Sequence, residues 1–285
     1  MNPIESEPAV IAAIQAALAE DGVSHDVTSL SLVDPDTRVT AHILARHACR
    51  IAGTTIGRQV FALADPSLEV DIRTPDGAAV DAGETVLVLF GRAASILGAE
   101  RTALNFMQRM TGIATATRHF VDAVAGTGCK ILDTRKTAPG LRLIDKYSVR
   151  TGGGTNHRMG LHDMVLIKDN HRNLWKGGET ARLDQAVRAA RATFPGIPVE
   201  VEVETFEELD SALAGAPEWI MLDNMPPARM REAVARIAGR CKIEASGGIT
   251  AETVRAAAET GVDAISLGCL THSVIAADLS LEFML

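Results

Sequence analysis

Between Lys130 and Arg172 the chain sets nine basic residues (Lys130, Arg135, Lys136, Arg142, Lys146, Arg150, Arg158, Lys168, Arg172) against four acids (Asp133, Asp145, Asp163, Asp169). His157, His162 and His171 fall in the same stretch. The island is +5 in a chain of formal net charge −8, so the remainder carries −13. Two like charges about 4 Å apart repel by roughly 4 kcal/mol at an effective dielectric near 20, so converging Arg135, Arg158 and Lys168 on one site calls for a compensating anion. Carboxylates or phosphates on a small ligand would supply it. The alternative is simple pairing with Asp145, Asp163 or Asp169.

A second pattern is acidic. In Val199-Glu200-Val201-Glu202-Val203-Glu204, alternation puts three carboxylates on one face of a strand and the valines on the other. On an open antiparallel sheet that face would be solvated; in a parallel strand covered on both sides the carboxylates must meet cations, metal or ligand hydroxyls. Ser246-Gly247-Gly248-Ile249-Thr250 leads from an apolar run toward a helical pattern, where glycines let backbone N–H groups approach a phosphate, though Gly-Gly is also an ordinary turn. Gly152-Gly153-Gly154 reads either as a helix end or as a loop close to ligand. A metal set of His157, His162, Asp163 and His171 is disfavoured by its spacing and by Arg158 and Lys168 nearby. Arg101, Asn105 and Gln108 form a polar stripe at helical spacing, either solvated or covering a site.

The elements that must position these groups follow from periodicity. Residues 8–20 read as a helix with Pro8 in its first turn and Gly22 as a stop signal. Alternation at Val39, Ala41, Ile43 and Ala45, again at Leu68, Val70 and Ile72, and the apolar run Val86–Phe90 predict an antiparallel sheet. Ala93–Met110 reads as a long helix, followed by a second helical pattern through Phe120 and Val124. From Lys130 onward, short apolar runs at 130–132, 164–167, 199–203, 219–222, 242–245 and 264–267 alternate with helical patterns such as 181–193, 227–238 and 251–259. Thr205 and Glu208 have capping-box spacing. Alternating strands and helices imply a parallel sheet, and the close spacing of the last four strands favours a barrel over a doubly wound sheet. In such a barrel, strand C-termini carry the chemistry. The positions that follow the runs here are Asp133, Thr134, Arg135 and Lys136; Lys168, Asp169 and Asn170; Asp223 and Asn224; Ser246 to Gly248; and Gly268.

Length and composition set the outer limits. A chain of 285 residues has room for one large domain or two modest ones. A pI near 5.5 and 4% aromatic residues argue against a nucleic-acid surface. Mean hydropathy is +0.12, yet charges interrupt each apolar stretch before the roughly 18 residues a membrane span needs. No Lys or Arg precedes Arg38, unlike a secretory or transit leader, which makes a cytoplasmic protein the expectation. Cys49, Cys129, Cys241 and Cys269 show no C-x-x-C spacing and read as reduced thiols.

The run Thr134-Arg135-Lys136-Thr137-Ala138-Pro139-Gly140, with Asp145-Lys146-Tyr147, Asn156-His157-Arg158, Gly160-Leu161 and Ile167-Lys168-Asp169-Asn170-His171, resembles the quinolinate phosphoribosyltransferases. So do Glu100 to Asn105, the Glu200 to Glu204 strand, Leu222-Asp223-Asn224, Glu244 to Ile249 and Thr271-His272-Ser273, so the likeness spans nearly the whole chain. It implies an α/β fold: an N-terminal α/β sandwich over 1–111, and an incomplete α/β barrel of about seven strands over 112–274, with the tail 275–285 packing back on the sandwich. It also implies a homodimer with shared active sites, the substrates quinolinate and phosphoribosyl pyrophosphate (PRPP), and Mg²⁺. Carried over by position, Arg135, His157, Arg158 and Lys168 would hold quinolinate, with Arg101 reaching in from a second subunit. Thr134 would join the substrate contacts. Lys136, Glu202, Asp223, Ser246, Gly247, Gly248, Leu267, Gly268 and Cys269 would hold PRPP, with Glu202 and Asp223 serving its metal. The chain departs from the family pattern at His25, Thr111 and Cys269, positions that touch packing or a loop. Two other readings are a molybdenum-transport-associated relative, whose basic loop diverges from Lys168-Asp169-Asn170-His171, and a catalytically silent phosphate-binding barrel.

Overall fold

A computed structural model describes residues 3–175 and 182–284. The chain opens with α1 (Pro8–Glu20), its Pro in the first turn, where the missing N–H costs nothing, and α2 (Val27–Leu32), capped by the Asp26 carboxylate on the N–H groups of Thr28 and Ser29. Strands β1 (Arg38–Ala45) and β2 (Cys49–Arg50), helix α3 (Thr54–Ala64), and strands β3 (Glu69–Ile72), β4 (Ala79–Val80) and β5 (Thr85–Arg92) follow. Helix α4 runs unbroken from Ala93 to Ala123, where the sequence reading expected two helices. Next come β6 (Lys130–Leu132), α5 (Arg142–Thr151), β7 (Val165–Ile167), α6 (Asp169–Leu174) and α7 (Leu183–Thr193); the expected helix start at 181 lies outside the described residues. The chain continues through β8 (Val199–Val203), α8 (Phe206–Ala214), β9 (Trp219–Asp223), α9 (Pro227–Ile237) and β10 (Lys242–Ser246). Short α10 (Val254–Ala258), β11 (Ala264–Ser266), α11 (Cys269–His272) and β12 (Leu279–Met284) complete it.

The chain divides into two compact units. The first comprises Met1–Arg118, Lys136–Gly153 and Cys269–Leu285. Its antiparallel sheet has the order β12-β1-β5-β3, with β12 paired to β1 from Thr40↔Met284 to Ala45↔Leu279. Alternation buries Ala41, Ile43 and Ala45 with Leu87 and Leu89, and α3 and α4 add Val60, Phe61, Ile96, Met107 and Met110 to one core. Thr111 is fully buried, and its hydroxyl donates to the Ala52 carbonyl (3.1 Å) and accepts from the Ala52 amide (3.2 Å).

The second unit comprises His119–Arg135 and Gly154–Gly268. It holds a six-stranded parallel sheet of order β6-β11-β10-β9-β8-β7. The first strand pairs with the last while the first and second do not meet, which is the succession of a barrel left open on one side. The resemblance implied about seven strands; among the described residues there are six, and an isolated parallel bridge between Leu132 and Thr155 lies at the open edge of β6. Thr205 caps α8 through the Glu208 amide, but Glu208 returns its bond to the Glu204 amide instead of closing the box on Thr205.

Candidate active site

Polar groups of the second unit gather at the C-terminal ends of its strands, as parallel topology requires. All five residues of β8 are buried, so Glu200 and Glu202 sit inside protein while Glu204, one step beyond the strand, is exposed. Glu202 forms an ion pair with Lys168 at 3.0 Å. Burial and the charge of Glu202 push the Asp223 carboxyl up, with Lys168 pulling the other way. Glu202 and Asp223 thus both feel the ammonium of Lys168, and Glu204 adds a third negative charge beside Asp223.

Glu200 and Glu244 enclose the ring of His157. Its Nε2 lies 3.1 Å from Glu200 and 3.3 Å from Glu244, and all three side chains are buried. The Arg158 amide donates to His157 Nδ1 at 2.7 Å, so the ring proton belongs on Nε2, between the carboxylates. Burial disfavours a charged ring and the two carboxylates facing Nε2 favour it, which raises the pKa, while the Arg158 amide on Nδ1 opposes a second proton there. Burial and the Glu244 charge push the Glu200 carboxyl up, against the pull of His157. Both oxygens of Glu200 and Oε1 of Glu244 have no conventional hydrogen-bond partner; what faces them is the His157 ring, the other glutamate and the charge of Arg158. Below, the fully buried Asp133 accepts from the His157 amide (2.9 Å) and from the Asn156 side chain, tying the loop to the end of β6.

Arg135 and Arg158 are near enough to repel. Burial and then the Arg135 charge lower the pKa of Arg158, with Glu200 and Asp163 opposing. Arg158 donates to the Met164 carbonyl (3.0 Å), whereas Nε of Arg135 is buried without a hydrogen-bond partner. An unpaired buried guanidinium N–H is costly unless an anion meets it.

The glycine loop after β10 is shaped by its neighbour. Gly247 (φ +85°) and Gly248 (φ +62°) are left-handed, and a Cβ on Gly247 would stand 2.2 Å from Asn224 Oδ1, so only glycine fits. The Asn224 amide donates to the Ser246 carbonyl (3.0 Å), and Ser266 Oγ donates to Ser246 Oγ (3.0 Å). The expected helix does not follow directly: α10 begins only at Val254 and has five residues, so the backbone amides of the loop, and not a helix dipole, are what could receive a phosphate. Leu267 donates its amide to the Leu132 carbonyl, which places Gly268 beside the end of β6.

The remaining expected residues fall in the first unit. Arg101 and Asn105 are exposed on α4, while Gln108 of the same stripe is used structurally, donating to the Leu279 carbonyl (2.8 Å). Lys136 is exposed and its carbonyl accepts from Thr271 Oγ1 (2.8 Å); Cys269 opens α11 half-buried, with burial pushing its thiol pKa up. Thr134 is half-buried at the end of β6, in the second unit. The set His157, His162, Asp163 and His171 does not converge: Asp163 accepts from the amides of Met159 and Gly160, and His171 accepts from the Lys168 amide. Among the described residues the His/Asp/Glu/Cys ligand atoms that do converge are those of His157, Glu200 and Glu244. The sequence places Asp133 among the strand-end positions but gives neither it nor Glu244 a role; the available signal for Glu244 is an acid on the inward phase of a parallel strand.

Comparison with known proteins agrees with this geometry. Residues 26–111 match the N-terminal domain of quinolinate phosphoribosyl transferase and residues 113–282 match its C-terminal domain. The chain is 43% identical over 278 residues to the nicotinate-nucleotide pyrophosphorylase [carboxylating] of Mycobacterium leprae, covering 94% of this chain and 95% of that one. It is 44% identical to a chloroplastic protein of the same name from Oryza sativa subsp. japonica, covering 95% and 76%. The solved nicotinate-nucleotide pyrophosphorylase of Francisella tularensis superposes with a TM-score of 0.92 at 37% identity, covering all of both chains.

Proposed function

The chain belongs to the quinolinate phosphoribosyltransferase family, and from that premise we propose that it makes nicotinate mononucleotide from quinolinate and PRPP, with release of pyrophosphate and CO2, in NAD biosynthesis. The observation that carries the acceptor half is the Arg135–Arg158 pair, two mutually repelling guanidiniums of which one keeps a buried, unpartnered Nε. A planar dicarboxylate matches two guanidinium forks and the ammonium of Lys168. His157 belongs to the same set, but with both ring nitrogens engaged it would serve by holding Arg158 in place. Arg101, exposed on α4, would reach quinolinate as Arg101 of the partner subunit in a homodimer.

For the donor, Lys136, Thr134, the Ser246 to Gly248 loop and the Leu267 to Cys269 segment would take the phosphates and pyrophosphate, and Glu202 and Asp223 the ribose hydroxyls and metal. Mg²⁺ fits Glu202 and Asp223, since it is commonly held by one or two carboxylates together with substrate phosphates, and these acids exceed the cationic charge beside them. Bound there, the ion would supply positive charge to the departing pyrophosphate. The pyridine nitrogen bonds to the ribose anomeric carbon as the carbon–oxygen bond to pyrophosphate breaks, its electron pair leaving with pyrophosphate. Glu202 and Asp223 favour the positive charge that develops on the ribosyl centre. The ring nitrogen is then cationic, so when the adjacent carbon–carboxylate bond breaks the electron pair stays on the ring carbon, CO2 departs, and a solvent proton completes the product. No dedicated base is required. A cytoplasmic setting fits the four free thiols, and no helix among the described residues is long and apolar enough to cross a membrane.

Incubation with PRPP, Mg²⁺ and quinolinate should give equimolar CO2 and nicotinate mononucleotide. Tight PRPP binding without turnover would instead identify a silent binding barrel. Nicotinate should be a poor substitute, because it lacks the second carboxylate, and Arg135→Ala should cripple kcat/KM for quinolinate; an unchanged value would remove Arg135 from that role.

A further inference from the structure

We infer that Glu200 and Glu244 are positioning residues for the acceptor site, acting through the His157 ring to fix Arg158. Glu200 stands on β8 and Glu244 on β10, with β9 between them, so a ring whose Nε2 lies within 3.3 Å of both spans the barrel interior and links two strands that are not neighbours. Their register partners, Leu166 and Trp219 for Glu200, Met221 and Ala264 for Glu244, carry no charge that could replace His157. The orphaned oxygens make the arrangement stiff, because a ring that swung away would leave two buried carboxylates facing each other, with only the charge of Arg158 beside Glu200. On its other edge the ring accepts the Arg158 amide, and Asp133 holds the His157 amide from the end of β6. The backbone at Arg158 is therefore pinned from both sides, and its guanidinium is braced by the Met164 carbonyl. Support of this kind is what holds a recognition cation within the few tenths of an ångström that bidentate binding needs.

The inference rests on quinolinate as the acceptor, and its tests are separable from that premise. Glu244→Gln keeps the shape and removes one charge. It should raise KM for quinolinate by about tenfold while kcat at saturation and KM for PRPP stay within about twofold, the signature of lost acceptor binding. Glu200→Gln should behave alike, and Arg158→Lys should show the same split. Equal losses for both substrates, or wild-type kinetics, would overturn the inference. Should either glutamine variant fail to fold, histidine-labelled wild-type protein still decides the clamp: NMR should show a His157 ring with a proton on Nε2, strongly hydrogen-bonded, and none on Nδ1. A protonated Nδ1, or a stoichiometric metal ion on Nε2 of the purified protein, would overturn it even if turnover is normal. Absence of turnover with quinolinate would fall on the activity and leave the ring measurement standing.

Discussion

Asp145 is a single carboxylate on which three segments of the first unit depend. It is fully buried and accepts from Arg109 Nε (2.8 Å), Arg109 Nη2 (2.8 Å) and the Ala138 amide (3.0 Å). Arg109 Nη2 also donates to the Thr271 carbonyl (3.0 Å), and Thr271 Oγ1 donates to the Lys136 carbonyl. Helix α4, the loop that carries Lys136 and the α11 turn are thereby joined. Asp145→Asn would leave the guanidinium without its counter-charge. Breaking a buried pair costs about 3–5 kcal/mol, and because the Arg109 side chain keeps 26% exposure the lower end, about 3 kcal/mol, applies. For a unit of this size that corresponds to a fall in melting temperature of about 6–12 °C. KM for PRPP should rise more than KM for quinolinate, since Lys136 is assigned to the donor. The double variant Arg109→Met with Asp145→Leu should be less damaged than Asp145→Asn alone, because an apolar pair leaves no buried charge. Differential scanning fluorimetry and initial-rate kinetics read both effects. A melting shift under about 2 °C with unchanged KM for PRPP would refute the reasoning.

Gly247→Ala places a Cβ against Asn224 in a left-handed backbone that costs an L-residue about 1–2 kcal/mol, so KM for PRPP should rise with KM for quinolinate unchanged; wild-type kinetics would remove the loop from phosphate binding. Chelation by EDTA should abolish turnover and Mg²⁺ restore it, and activity that survives chelation would dismiss the metal. Burial alone would raise Asp65, but hydrogen bonds from Ser95, Ser67 and Arg92 pull it well below the usual carboxylate range. Its folded pKa lies beneath an unfolded value of about 3.9, so its stabilisation is complete above roughly pH 4 and is lost as pH falls through the folded value. Asp65→Asn should accordingly flatten the acid limb of a stability–pH curve, and an unaltered limb would count against that carboxylate.

Elements whose stabilisation is local were legible in the sequence. The six parallel strands announced themselves as short apolar runs, and α1 by its proline and periodicity. Helix α3 did not, because its start is capped from a distance: the amides of Gly53 and Thr54 donate to the Asp76 carboxylate, more than twenty residues on. The unbroken course of α4 was hidden for a similar reason. Thr111 and Thr115 look like a break, yet their hydroxyls bond the backbone of Ala52 and Arg50, so tertiary contacts employ residues that a free helix would tolerate poorly.

The site divides along the same line. Basic residues could be found by density, because charge of one sign in a chain of the other sign is visible in any window. Which of them is available could not, since pairing is a property of space. Lys168 is paired with Glu202 and Arg172 with Glu208 at 2.7 Å, whereas Arg135 retains a buried Nε without a partner. His157 makes the point most sharply. By composition it is another member of a cationic cluster, and Glu200 another member of an acidic stripe. Only the barrel, by bringing β8 and β10 to one ring across 43 and 87 residues of chain, turns them into a brace for the arginine next door. A recognition cation is thus encoded where it stands, and the rigidity that makes it selective is encoded elsewhere, on inward-facing strand positions whose acids are the least expected residues in a barrel core.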